Sequence, residues 1–136
     1  LDGGMSQPVG EGGGVVVLKR AQDARQCGNR IYSIVKGLQI AHDSAPRTTY
    51  EPTSALVART AQDCLESFHV DASDIDYIEC HAGSLTERRA EAEGLAAVYG
   101  SGAPVIGSAK VNYGHLCSAA GIVMARISAS AVSSTW

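Results

Sequence analysis

The sequence has no run of basic residues, and this absence excludes one large class of functions. Lys and Arg number 11 against 14 Asp and Glu, which gives a net charge of −3 and an isoelectric point near 5.7. A surface that binds nucleic acid needs clustered Lys and Arg to meet the phosphates. We therefore predict a protein that binds no nucleic acid.

The spacing of the four cysteines argues against export and against a metal site. The four cysteines form no Cys-x-x-Cys pair, and no segment resembles a signal peptide, so we predict a reducing, cytoplasmic environment. Cys80 and His81 adjoin on a predicted strand, where neighbouring side chains point to opposite faces. His115 and Cys117 diverge similarly, so we predict no metal site.

Two further features are missing, a membrane span and a phosphate loop. The longest apolar run, Leu116 to Val132, carries Arg126 and is rich in Ser and Ala, whereas a span is longer and more hydrophobic. It predicts a helix buried inside a protein, with no membrane partner. The glycines of residues 10–14 precede a Val-rich stretch and lack the Lys-Ser/Thr pair of a phosphate loop, so they indicate a tight turn.

The 136 residues are enough for one domain with a core of its own. The first residue is not Met and the last ones stop in mid-pattern, so we expect a window from something larger. The first elements predicted are strands at 14–19 and 30–40, with a helix at 21–26 between them that Gly28 closes. An exposed loop at 41–52 and a helix capped by Thr53 or Ser54 follow. The remaining elements are a strand ending at Cys80, a helix at about 87–99 ended by Gly100, a strand near Val105 and the final helix. Alternating helices and strands predict an α/β fold with a parallel sheet covered on both faces.

Titratable side chains follow two of these strands. His81 follows the strand that ends at Cys80, and Lys110 and His115 follow the strand at 104–106. If the strands are neighbours, both imidazoles emerge at one edge, where open α/β sheets bind ligands. Two imidazoles that donate to one oxygen would stabilise a developing enolate. Lys110 either holds charge and orientation in such a site or is a solvated lysine at a strand end.

Three segments carry a resemblance to a known family. Residues 110–115, Lys-Val-Asn-Tyr-Gly-His, resemble the K-S-N-x-G-H motif of β-ketoacyl synthases, the condensing enzymes of fatty acid and polyketide assembly. Residues 79–81, Glu-Cys-His, resemble their E-A-H-G-T-G-T motif. Residues 10–20 are similar to the G-E-G-A-G-V-V-V-L-K-R that precedes both. The order and the approximate spacing are also those of the family.

The resemblance implies the thiolase-like fold, in which two related halves stack as αβαβα layers. Residues 1–40 would supply the last strands of the first half, and residues 41–136 most of the second half, truncated. Alone, such a piece would expose sheet edges and apolar patches, so we predict poor stability until the remainder of the ketosynthase domain completes it. Complete domains of this family pair as homodimers or heterodimers.

The resemblance also implies a reaction. An upstream cysteine takes an acyl chain from an acyl carrier protein, and two histidines support decarboxylation of a malonyl thioester for the Claisen condensation. His81 and His115 match those histidines and Lys110 the accompanying lysine, while Asn112 and Gly114 would shape the turn that presents His115. No cofactor is implied beyond the phosphopantetheine that the carrier protein brings.

Two departures from the family's motifs keep a second hypothesis open. Residues 81–90 depart from the H-G-T-G-T-x-x-G-D-P motif after the histidine, so only Ser84 and Thr86 could replace the threonines that contact the phosphopantetheine arm. Cys117, which we expect to be small and buried, occupies a position that is commonly acidic. The alternative is a non-catalytic module similar to a chain-length factor. A thiolase-type acyl-CoA reaction is a third interpretation, against which the motif at 110–115 argues.

Overall fold

Helices and strands alternate through most of the chain. The computed structural model describes residues 8–43, 51–102 and 104–132. Its elements are α1 (Ala21–Gln26), α2 (Ser54–Ser67), β1 (Tyr77–Glu79), α3 (Leu85–Tyr99), β2 (Val105–Gly107), α4 (Lys110–Tyr113) and α5 (Ala120–Val132), with 3-10 turns at Ala72–Asp74, Gly100–Gly102 and Cys117–Ala119. The described residues form two compact units, one from Gly37 to Ser108 and the other from Pro8 to Lys36 together with the segment from Ala109.

The first unit contains a parallel pair of strands beside two helices. Strands β1 and β2 pair in register, with Ile78 opposite Ile106, and the backbone N–H of Cys80 extends the ladder by donating to Gly107 at 2.8 Å. The predicted parallel sheet and α/β class are therefore confirmed. Helices α2 and α3 pack closely at Gly94, where a Cβ atom would lie 2.6 Å from the carbonyl oxygen of Ser54.

Capping residues set the helix bounds that the sequence predicted. The side chain of Thr53 accepts from the N–H of Leu56 at 3.2 Å and begins α2. Gly100 ends α3 at a φ of 60°, a conformation that glycine adopts without strain. Gly28, with a φ of 64°, closes α1 after the predicted Gln26. These three predictions are confirmed.

The strands predicted at 14–19 and 30–40 are wrong for the described chain, which has neither helix nor strand in these segments. A strand is stabilised by ladder hydrogen bonds to a neighbour, and the described residues pair none with these two segments. Their side chains lie open instead, with Val15 and Val17 both 91% exposed. The predicted exposure of apolar surface is thus confirmed, while the proposed division of the chain at residue 40 stays a prediction.

Few side chains of the described residues are buried. No large side chain among them is fully buried, and the buried apolar residues are small apart from Leu95. Val105 is 69% exposed, so the expected cover on both sheet faces is not supplied by the described chain. The final helix begins at Ala120 rather than Leu116 and buries only that residue among its described side chains. Most of the predicted loop at 41–52, residues 44–50, lies outside the described residues.

No helix in the described part of the chain is both long enough and apolar enough to cross a membrane.

Candidate functional site

The loop that leaves β1 presents His81, and carboxylates of α3 hold this loop. Glu91 accepts the backbone N–H of His81 at 2.8 Å through Oε1 and that of Ala82 at 2.7 Å through Oε2. Ala82 has a φ of 46°, which is uncommon for a residue with a Cβ atom. The fork from Glu91 therefore stabilises a backbone conformation that the loop sequence alone does not favour.

Ser84 begins α3 through a capping box. Its hydroxyl accepts from the N–H of Glu87 at 3.1 Å, and the Glu87 carboxylate accepts from the N–H of Ser84 at 2.5 Å. The same hydroxyl donates to Glu51 at 3.2 Å. The second Glu87 oxygen lies 3.8 Å from Nε2 of the half-exposed His81 ring. Thr86, the other candidate for the substrate arm, is exposed in the first turn of α3.

The second unit contains Lys110, at the start of α4, and His115, which follows the end of that helix. Lys110 begins α4 and is only 3% exposed; the solvated-lysine interpretation is therefore wrong, because a side chain in solvent would be open. Burying an ammonium group costs free energy unless neighbouring groups stabilise the charge. Asn112, on the same turn, is exposed.

Gly114 shapes the turn that delivers His115. Its φ of 74° and ψ of −174° fall in a region essentially restricted to glycine, and a Cβ atom there would lie 2.5 Å from the carbonyl oxygen of Pro8. The N–H of His115 donates to Pro8 at 2.8 Å, and its carbonyl accepts from the N–H of Gly10 at 3.1 Å. The backbone of His115 is thus fixed on both sides, and its Nδ1 atom is buried.

Cys117 is exposed, so the prediction of a small buried side chain is wrong. It begins a 3-10 turn at a φ of 49°, and this turn separates α4 from α5 instead of continuing one helix. Among the described residues, no group of three or more His, Cys, Asp and Glu side chains is placed to hold a metal ion.

Comparison with known families decides what these motifs belong to. The profile of the family described as "Beta-ketoacyl synthase, C-terminal domain" matches residues 32–135, which include both histidine motifs. The chain belongs to the β-ketoacyl synthase family. The resemblance of its motifs is thereby confirmed, and the thiolase-like α/β fold class with it.

The relatives of this ketosynthase chain are polyketide synthases. A phenolphthiocerol synthesis polyketide synthase of type I from Mycobacterium bovis is 36% identical over 119 residues, covering 83% of this chain and 6% of that protein. A phenolphthiocerol/phthiocerol polyketide synthase polypeptide of Mycobacterium tuberculosis is 40% identical over 118 residues, covering 83% of this chain and 5% of that polypeptide. The chain therefore spans less than a tenth of the curated relatives described here.

Solved ketosynthase structures resemble the chain in fold. The ishigamide ketosynthase/chain length factor superposes with a TM-score of 0.79 at 30% identity, covering 87% of this chain and 29% of that one. The ketosynthase from module 6 of the bacillaene synthase of Bacillus subtilis gives a TM-score of 0.76 at 27% identity, covering 82% of this chain and 22% of that one.

Glu87 and Glu91 are functional candidates of this ketosynthase domain that the sequence motifs did not reveal. A signal was present, because carboxylates four residues apart on a helix share a face, and this face adjoins the loop that carries His81. Their targets are backbone N–H groups, which leave no trace in a sequence motif.

Cys80 is buried beside this loop and is a poor nucleophile. Its pKa is raised from 9.0 to about 11, because burial disfavours the thiolate and the charges of Glu91 and Glu79 add to the effect. Tyr77 donates its hydroxyl to Glu79, and this hydrogen bond together with burial raises the pKa of Tyr77 to about 12.

The raised pKa of Cys80 makes stability depend on alkaline pH. In the unfolded chain the thiol ionises near its ordinary pKa, whereas the folded protein keeps the proton up to about 11. The unfolded state therefore holds fewer protons between about pH 9 and 11, and the free energy of unfolding falls over that window. We expect urea titrations of the completed ketosynthase domain to show this decline, and Cys80→Ala to make it shallower. If the free energy of unfolding fell equally with pH in the parent and in Cys80→Ala, the raised pKa of Cys80 would be contradicted.

Proposed function

We propose that this chain is the part of a polyketide-assembling ketosynthase that supplies both histidines for decarboxylative condensation. The observation that carries the proposal is the family match over residues 32–135, which contains the motifs of His81 and of Lys110 to His115. The burial of Lys110 and the glycine-restricted turn before His115 support it. Polar groups fixed by their surroundings are what a preorganised site requires.

In this mechanism a malonyl thioester delivered by an acyl carrier protein loses CO2. The two electrons of the broken C–C bond become the enolate of an acetyl thioester, and N–H donors of His81 and His115 stabilise its oxygen. The enolate carbon then attacks the acyl thioester on the nucleophilic cysteine, forming the new C–C bond and releasing the cysteine as thiolate. Lys110 contributes positive charge that stabilises the anion.

The proposal is tested by the residue at the nucleophile position of the native protein and by CO2 release from malonyl-carrier protein. A cysteine at that position, with CO2 release by the completed domain that depends on His81 and His115, supports the condensing enzyme. A domain that binds malonyl-carrier protein but releases no CO2 contradicts it.

A second candidate function is a chain-length-factor-like module that shapes a partner's product without catalysis. One observation of this chain favours it: the Ser84 hydroxyl is already occupied by the capping box and Glu51. The ketosynthase/chain length factor from ishigamide biosynthesis is also among the similar structures. Gln or another residue at the nucleophile position would favour this module.

We further propose that the first turn of α3 and the turn around Asn112 and Gly114 receive the phosphopantetheine arm. Thr86→Ala should raise the KM for malonyl-carrier protein a few-fold at unchanged stability, because the residue is exposed. Ser84→Ala removes a helix cap and should lower the free energy of unfolding by about 1 kcal/mol. Kinetics and urea titrations of both variants check this. A KM for Thr86→Ala equal to that of the parent would contradict the arm contact.

A further inference from the structure

We propose that Glu87 and Glu91 of α3 are positioning residues for His81, and this inference rests on the proposed function of that histidine. Three backbone N–H groups of the loop after β1 donate to these two carboxylates, those of His81 and Ala82 to Glu91 and that of Ser84 to Glu87. We call the pair the α3 clamp. The α3 clamp would hold in place one of the two proposed hydrogen-bond donors of the site, His81.

Glu91 fixes the backbone from which the imidazole departs. Its two oxygens take two successive N–H groups at 2.8 and 2.7 Å, the short distances of charge-assisted hydrogen bonds. The second of these groups belongs to Ala82, whose φ of 46° lies in the left-handed region. Releasing the fork would let this peptide relax toward ordinary dihedrals and would turn the His81 side chain with it.

Glu87 acts on the ring itself. Its Oε1 lies 3.8 Å from Nε2 of His81, which is beyond hydrogen-bond distance but within the range of an ion pair. A carboxylate on this side favours the ring form with its proton on Nε2. In the free protein Glu87 orients that N–H, and the enolate oxygen must take the place of the carboxylate at Nε2 during the reaction.

Gly83 makes room for this approach. A Cβ atom on Gly83 would overlap the carboxylate of Glu87 and lie 2.9 Å from Nε2 of His81. The carboxylate and the imidazole therefore converge over a residue without a side chain. A side chain at position 83 would therefore separate the loop after β1 from Glu87 of α3.

The test uses the completed ketosynthase domain with Glu91→Gln, Glu87→Gln and the matched control Glu93→Gln, an exposed carboxylate on the same helix. Glu91→Gln keeps the shape of the side chain but replaces one acceptor oxygen with an NH2 group, which cannot accept from the N–H of His81 or Ala82. We expect kcat for decarboxylation of malonyl-carrier protein to fall about tenfold or more with KM unchanged within about twofold, because misplacing a group lowers kcat. Glu91→Asp, which retains both acceptor oxygens, should recover part of the loss, and Glu93→Gln should match the parent.

A second readout needs no activity: the NMR signals of the His81 imidazole, assigned with a His81→Ala variant. Glu87→Gln should shift the ring signals and Glu93→Gln should leave them in place; unshifted signals would contradict the role of Glu87. If the parent releases CO2 and His81→Ala does not, a Glu91→Gln variant with the parent's kcat overturns the inference and leaves the proposed function standing. If His81→Ala equals the parent, the proposed function fails, and the ring signals alone decide whether the clamp orients His81.

Discussion

Replacing His115 or His81 with alanine in the completed ketosynthase domain should lower the rate of malonyl decarboxylation by roughly 10²–10³-fold. Removing one hydrogen-bond donor from a preorganised oxyanion site has an effect of this size, because water does not replace a fixed donor. The loss should appear in kcat, since the donor is proposed to act on charge that develops during the reaction. Release of labelled CO2 from malonyl-carrier protein measures it.

His42 provides the matched control for both variants. It is an exposed histidine, and its carbonyl rather than its ring accepts from Arg59. We therefore expect His42→Ala to keep the parent's rate. Equal rates for the parent, His81→Ala and His115→Ala would contradict the assignment of both histidines, whereas a loss confined to one would assign the donor role to that residue alone.

Gly114→Ala should disrupt the turn before His115 and lower the free energy of unfolding by about 3 kcal/mol or more. The dihedrals of Gly114 are essentially restricted to glycine, and the added Cβ would meet backbone atoms of Pro8 and Gly10. Because backbone atoms cannot rotate away as a flexible side chain can, residues 113–115 must move. His115 would then lose its fixed backbone, and decarboxylation should fall with stability.

Gly13→Ala is the control for this effect. A Cβ atom on Gly13 would meet nothing within 4 Å, so we expect a change within about 0.5 kcal/mol, as for other open surface positions. Urea titrations of the completed domain with each variant provide the comparison. A Gly114→Ala domain as stable as Gly13→Ala would show that the glycine-specific turn is absent from the native protein.

Local signals predicted the elements of this chain well where they act within a few residues. Thr53, Gly28 and Gly100 begin or end helices as their chemistry requires, since a cap or a left-handed residue needs no distant partner. The parallel pairing of β1 with β2 also followed from the alternation of helices and strands.

The predictions that failed concern features that depend on residues far away along the chain. Residues 14–19 and 30–40 have the composition of strands, but the described residues offer them no neighbour with which to form a ladder. Cys117 was expected to be buried near the start of a helix, but it is exposed and begins a 3-10 turn at a positive φ. Glu91 was missed because it binds backbone groups, whose positions depend on the fold and not on residue type.

The paired role of His81 and His115 is tested most directly by a crystal structure of the completed native domain with a malonyl thioester analogue that cannot lose CO2. We predict a thioester oxygen that accepts hydrogen bonds from both His81 and His115, at roughly the 2.7–3.1 Å typical of oxyanion donors. A thioester oxygen held by neither ring, with His81 still facing Glu87, would contradict the proposed donor role of the two histidines and would favour the non-catalytic module.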